Sequence, residues 1–227
     1  MKIAIMQPYF FPYIGYFQLI NSVDVFVNLD HVNFMKRSYM TRNIIKNGIK
    51  INVPIKKSTQ NKKCFESYIS VDSKYLNNFK DTIKNQYKKE SQFDTVYQYI
   101  FNDDDIWKNN NSISNLNLHF IRLVCSYLKI NTKIIDSSVG LTVNSSQQGL
   151  IDIVNTFRSD SIIPTYINAI GGMELYEKQE FANSNIDLKF IKMGSVDFYN
   201  PFSSILDLIF TYKKEVIINE LNKYTLV

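Results

Sequence analysis

Cations and amides crowd the first fifty residues. Lys36, Arg37, Arg42 and Lys46 fall within eleven positions, interleaved with Asn33, Ser38, Tyr39 and Asn43. Such a cluster could hold a pyrophosphate through charge-assisted hydrogen bonds, with arginine binding in bidentate fashion, or it could be a solvated basic face. Upstream, the loop Gln7-Pro-Tyr-Phe-Phe-Pro-Tyr-Ile-Gly15-Tyr16 joins rigid aromatics to an amide. Tyr9, Tyr13 and Tyr16 could stack on a planar ring or a sugar face while Gln7 supplies a donor and an acceptor; the same aromatics could equally cover the end of a sheet. Asp30 and His31 close an apolar run and are the candidate catalytic groups. Neighbours in a strand point to opposite faces, so their adjacency alone makes no proton relay.

The remaining reactive side chains carry less. His119 lies on the apolar stripe of a helical segment and reads as a core or boundary histidine. The run Asp103-Asp104-Asp105 reads first as a helix boundary, and Cys64 and Cys125 have no activating motif. With two histidines and two cysteines in no ligand spacing, no metal site is expected.

These residues need a scaffold to bring them together. Residues 2–6 form a short apolar run that reads as a buried strand, residues 16–22 show helical spacing, and residues 23–29 are rich in β-branched side chains. Strand, loop, helix and strand make a β-α-β unit with parallel strands, so the loops 7–15 and 30–36 should emerge at one sheet edge and face each other. Further strands are expected at 50–55, with Pro54 placing it at an edge or strand end, and at 69–71, 133–136, 161–165 and 188–192. Helices are expected from 73 through Tyr87, then at 93–101, 113–128 and 150–157, at 173–181 after Gly171 and Gly172, and at 203–220. The fold class is therefore α/β: a Rossmann-like parallel or mixed sheet flanked by helices, in one domain over 1–227, with a helical insertion at roughly 73–128.

A hydrophobic content of 45% over 227 residues supplies a sizeable core and rules out disorder as the main state. Two cysteines are too few for a disulfide framework, which fits a reduced cytoplasmic setting. No apolar run reaches the roughly 20 residues of a membrane span, and no secretory signal is expected from the first residues, where Pro8 breaks a short apolar run. The net charge of +5 suits an anionic partner such as a nucleotide or polyphosphate, but the excess is too mild to favour nucleic acid. Buried aromatics could close a homo-oligomer.

The same residues carry a likeness. Gln7-Pro-Tyr-Phe-Phe-Pro-Tyr-Ile-Gly-Tyr-Phe, Val23-Asp-Val-Phe-Val, Asp30-His-Val-Asn-Phe-Met-Lys-Arg, Thr41-Arg-Asn-Ile-Ile-Lys and Val53-Pro54 resemble the WbqC-like family, as do Ser137-Ser138, Leu150-Ile-Asp-Ile and Ser203-Ser-Ile-Leu-Asp-Leu-Ile-Phe. The chain departs from that pattern at Asn33, where the family usually has Gln, and over residues 167–172, which lack the usual Ser-Gly-Pro-like loop. A second likeness concerns layout: residues 11–16 resemble the opening of pantothenate synthetase and other nucleotidyl-transferring Rossmann-like domains, with Tyr13-Ile-Gly15-Tyr16 where those enzymes carry His-x-Gly-His.

Members of the WbqC-like family are encoded among bacterial surface-polysaccharide (O-antigen) genes. The resemblance implies a role in making or modifying an activated sugar, and the leading reading is an enzyme that transfers an acyl or aminoacyl group to the amine of a nucleotide-linked amino sugar. Amide formation needs a base and donors for the oxyanion. Asp30 is the candidate base beside His31; Gln7, Asn33 and Asn43 position the substrate; Lys36, Arg37 and Arg42 grip phosphates of the sugar nucleotide or of the acyl donor. The donor, a thioester or an activated acid, is not written in the sequence, which has no Gly-rich phosphate loop and names no cofactor. The rival reading is a non-catalytic sugar-nucleotide or glycan binding protein of the assembly machinery. A transferase fed by charged transfer RNA ranks last and predicts binding that weakens steeply with salt.

Overall fold

The run Lys2–Met6 forms strand β1, and Ile3, Ala4 and Ile5 are buried on both of its faces in the computed structural model, which describes residues 1–57, 62–139, 146–159, 162–198 and 200–227. A strand apolar on both faces belongs at the centre of a sheet covered on both sides. Helix α1 (Ile14–Asn21) follows and leads into β2 (Val25–Asn28), parallel to β1 with Ile3 opposite Val25. The chain then leaves the sheet for an antiparallel hairpin, β3 (Arg42–Ile45) and β4 (Ile49–Asn52), whose turn needs positive φ at Asn47 and Gly48. Helices α2 (Ser73–Tyr87), α3 (Phe93–Phe101) and α4 (Ile113–Tyr127) come next, before the chain re-enters the sheet as β5 (Lys133–Asp136). Helix α5 (Gln147–Asn155), β6 (Thr165–Ala169), α6 (Lys178–Asn183), β7 (Asp187–Met193), α7 (Ile205–Thr211), α8 (Lys214–Glu220) and β8 (Tyr224–Leu226) complete the order.

The six-stranded sheet runs β5-β2-β1-β6-β7-β8, with all neighbours parallel except β8, which is antiparallel to β7. Counting only these strands in chain order gives 3-2-1-4-5-6, the order of a doubly wound Rossmann-like sheet. The period of two along each strand divides the core into two layers. Ala4, Phe26 and Ile167 face a layer that also holds α1, α2, α3, α4 and α7, whereas Ile3, Ile5, Val25, Val27 and Tyr166 face α5 and α6. The three helices between β4 and β5 share the first of these layers with α1.

Five expectations need correction. The strand expected at 50–55 is β4 and pairs with β3 alone, while 69–71 contributes only an isolated bridge between Ile55 and Ile69. The strand expected at 161–165 begins instead at Thr165: Ile162 and Ile163 are exposed, so their apolar character is not spent on the sheet, and Ser161 lies outside the described residues. The helix expected at 173–181 divides into a 3-10 segment Ile170–Leu175 and α6, because Tyr176 is extended and its ring packs edge-on against Phe181. The terminal helix divides in the same way at Tyr212, which is extended and packs on Phe198 at 4.9 Å, and the chain after it adds β8.

Candidate functional site

Five parallel strands end at one edge of the sheet, and on either side of β1 the chain connections run in opposite directions. Between β1 and β6, therefore, lies the switch point of the sheet, the place where open α/β sheets form a crevice for ligands. Gln7 and Tyr9 rise from β1 on one side of it, Asn168 and Gly172 from β6 on the other. Tyr9 is half-buried, with its ring 5.7 Å from Tyr16 and 5.8 Å from Tyr39. Burial pushes its phenol up, and the neighbouring phenols of Tyr13, Tyr39 and Tyr176 push it further. Across the crevice the Asn168 amide donates to the buried Tyr166 hydroxyl at 3.1 Å, while its Oδ1 accepts the Ala169 N–H at 2.7 Å. A Cβ at Gly172 would sit 3.1 Å from the Tyr176 ring and 3.3 Å from the Asn168 amide, so glycine keeps this wall thin. Asn168, Tyr166 and Tyr176 were missed in the sequence; placing the strand at 165–169 would have put Asn168 at its carboxyl end.

Of the residues expected to touch substrate, two serve as scaffold. Tyr16 is 2% exposed and donates its hydroxyl to the Gln7 carbonyl at 2.8 Å, and burial raises its phenol well above the usual range. Asn43 spends its amide on the carbonyls of Phe10 and Phe11, at 3.0 and 2.7 Å, and its Oδ1 on the Ile44 N–H, fixing the turn in which Phe11 takes φ 44°. Asn33 is exposed and accepts from Lys63 at 3.0 Å. Tyr13 is half-buried with its ring laid over the start of α1; a Cβ at Gly15 would strike that ring at 2.4 Å. Gln7 is half-buried, and its side-chain amide makes no hydrogen bond among the described residues.

Asp30 is 2% exposed, and its carboxylate is occupied. Oδ1 accepts the Ser137 hydroxyl at 2.9 Å and the Ser138 N–H at 2.8 Å, and Oδ2 accepts the Ser138 hydroxyl at 2.7 Å. The Ser137 oxygen in turn accepts the N–H groups of Asp30 and His31. A carboxylate so enclosed cannot meet a substrate amine without dismantling its own bonds; it ties the end of β2 to the loop after β5. His31, next on this loop, is half-buried against Phe65 at 5.3 Å, and its Nδ1 is buried with no hydrogen-bond partner among the described residues.

The basic cluster forms a wall of a cleft of about 730 Å3. Lys36, Arg37 and Arg42 line it together with Lys50, Lys56 and Lys57, and none of the described residues that line it is Asp or Glu. Lys46 turns away to pair with Glu90. Tyr39 lines this cleft and touches the Tyr9 ring, so cleft and crevice adjoin.

The other candidates recede. Cys64 and Cys125 are buried, and burial pushes each thiol up to about 12, which leaves too little thiolate for nucleophilic work. Asp104 pairs with Lys80 and Asp105 with Lys108, and the described residues contain no group of three or more His, Cys, Asp or Glu able to hold a metal ion. Burial lowers the His119 pKa, the Arg122 charge lowers it further, and Asp103 opposes both. A histidine with a depressed folded pKa favours the unfolded chain once that chain protonates. Stability should therefore fall as pH drops through the unfolded value of 6.5. Urea midpoints at pH 7.5 and 5.5 check this, with a smaller decline expected for His119→Gln than for the native chain.

A sequence model of the WbqC-like protein family matches residues 7–218. The chain is also 24% identical over 225 residues to the uncharacterized protein Rv1507c of Mycobacterium tuberculosis (strain ATCC 25618 / H37Rv), covering 94% of this chain and 95% of that protein. No solved structure matches the chain significantly. Among the described residues, no helix is long and apolar enough to cross a membrane.

Proposed function

The chain belongs to the WbqC-like protein family, and on that footing we propose that it transfers an acyl or aminoacyl group to the amine of a nucleotide-linked amino sugar in surface-polysaccharide synthesis. The observation that supports this reading is the joining of an acid-free cationic cleft to an aromatic crevice through Tyr39 and Tyr9. The cleft can neutralise the phosphates of the sugar nucleotide or of the acyl donor, while the crevice takes the sugar ring.

In this reading the amine nitrogen attacks the acyl carbonyl, a C–N bond forms, and the bond to the donor's leaving group breaks. His31 takes the proton from the amine, since imidazole is the side chain best suited to proton transfer near neutral pH. Gln7, whose amide is uncommitted at the mouth of the crevice, donates to the developing oxyanion. Tyr9 and Tyr13 offer ring faces, and Lys36, Arg37 and Arg42 hold phosphates. Asp30 is a positioning residue that fixes the loop carrying His31.

Incubation with amino-sugar nucleotides and acyl donors, followed by mass spectrometry, tests the proposal. The expected product carries one amide-linked acyl group. His31→Gln should lower kcat by about 100-fold or more with the thermal midpoint unchanged, the size of effect general base catalysis supplies. Retained sugar-nucleotide binding without any acylated product would instead favour the non-catalytic binding protein.

A further inference from the structure

The β3–β4 hairpin has a cavity on each side. The cationic cleft lies along Arg42–Asn43 and the β4 strand, and a second groove of about 490 Å3 lies along residues 44–48 against Phe202, Leu208 and Tyr212. Ile44 lines both.

The two cavities differ in chemistry. The cleft brings six cations together, with no acid among the described residues that line it. A sugar diphosphate carries two negative charges, which such a site exceeds. The groove's charged groups are already committed: Lys46 pairs with Glu90, and Asp207 accepts the Lys46 N–H at 2.8 Å and the Tyr87 hydroxyl. Its free surface is apolar, and Ile44 and Phe202 are 50% and 72% exposed there. Exposed apolar side chains that line a groove beside a charged cavity can pack against the apolar part of a ligand. Both cavities fall in the size range of sites for small ligands rather than for protein partners.

We propose that the two cavities take one ligand, an acyl thioester of a polyphosphorylated nucleotide of the coenzyme A class, with its phosphates in the cleft and its acyl chain crossing Ile44 into the groove. This rests on the proposed acyl transfer and names its donor. Counterions released from the cleft drive the head, and apolar burial against Ile44 and Phe202 drives the tail.

Calorimetric titration with coenzyme A and with octanoyl-coenzyme A, in the absence of any sugar, tests it. Octanoyl-coenzyme A should bind at least tenfold more tightly than coenzyme A. Raising NaCl should weaken both while leaving their ratio unchanged, a readout that needs no variant. Arg42→Glu with Lys50→Glu should weaken both ligands at least tenfold. Phe202→Ser should bring octanoyl-coenzyme A down to the affinity of coenzyme A. Equal affinities in the native chain would overturn the proposal. So would binding only to vesicles containing phosphatidylserine, or only to transfer RNA with a steep salt dependence. If an amino-sugar nucleotide is acylated from another donor while coenzyme A does not bind, the two-cavity assignment falls and the acyl transfer stands. If octanoyl-coenzyme A binds as described and no amino sugar is acylated, the reverse holds.

Discussion

Asp30→Asn should lower the thermal midpoint by about 6–12 °C, corresponding to a loss of about 3 kcal/mol. The carboxylate accepts three short hydrogen bonds in a site that is 2% exposed, and an amide can keep only those on its remaining oxygen. Its NH2 group would face either the Ser138 N–H, which only donates, or hydroxyls that must then reverse. Hydrogen bonds to charged groups contribute about 1.5–3 kcal/mol each, so the loss of one or two accounts for the expected size. Ser138→Ala removes one of the same bonds, and the double variant should lose less than the sum of the singles, with a coupling of about 1 kcal/mol between residues 108 apart in sequence. Loss of turnover by Asp30→Asn at native stability would return Asp30 to the role of base and remove it from that of anchor.

The scaffold was legible where burial and local pattern agree. Residues 2–6 and 23–29 are apolar because β1 and β2 are covered on both faces, and α3 and α4 stand at their expected places because each has an apolar stripe bounded by polar residues. Agreement fails at Ile162 and Ile163, which are apolar but 56% and 65% exposed, and which drew the expected strand four residues too early. The same shift hid Asn168. Strand β3 was hidden for the opposite reason: Arg42–Ile45 is mostly exposed and pairs only with its own hairpin partner, so no burial pattern marks it. The loops 7–15 and 30–36 were correctly brought to one sheet edge by the β-α-β rule, which depends only on order. What each side chain does there was not legible, because the deciding partners are remote: Ser137 and Ser138 for Asp30, and the Phe10 and Phe11 carbonyls for Asn43. A cationic run could be read from residues 36–46, but the cleft's other three lysines come from β4 and the segment after it, and only the hairpin unites them.

Asn117 provides the second large effect. It lies on α4 among Leu116, Leu118 and Phe120, fully buried, an amide on a face that, Ser114 aside, presents apolar side chains to the core. Its Nδ2 donates to the Pro8 carbonyl at 2.9 Å and to the Met40 carbonyl at 2.8 Å. One side chain thus clips the aromatic loop after β1 to the basic loop after β2, the two segments that form crevice and cleft. Asn117→Ala leaves both carbonyls buried without a donor and opens a cavity. At about 1–3 kcal/mol for each unsatisfied group, the expected loss is about 3 kcal/mol and a midpoint lower by about 6–12 °C. Asn117→Asp should be worse, because a carboxylate has no N–H to offer and would face two carbonyl oxygens. Hydrogen exchange separates this clip from simple core damage. The Phe10 N–H, bonded to the Tyr39 carbonyl at 2.9 Å, and the Thr41 N–H, bonded to Ser38 at 3.1 Å, should exchange at least tenfold faster in Asn117→Ala, while amides of β6 and β7 change only by the global loss. A uniform acceleration across the sheet and both loops would mean that Asn117 packs the core without joining the loops.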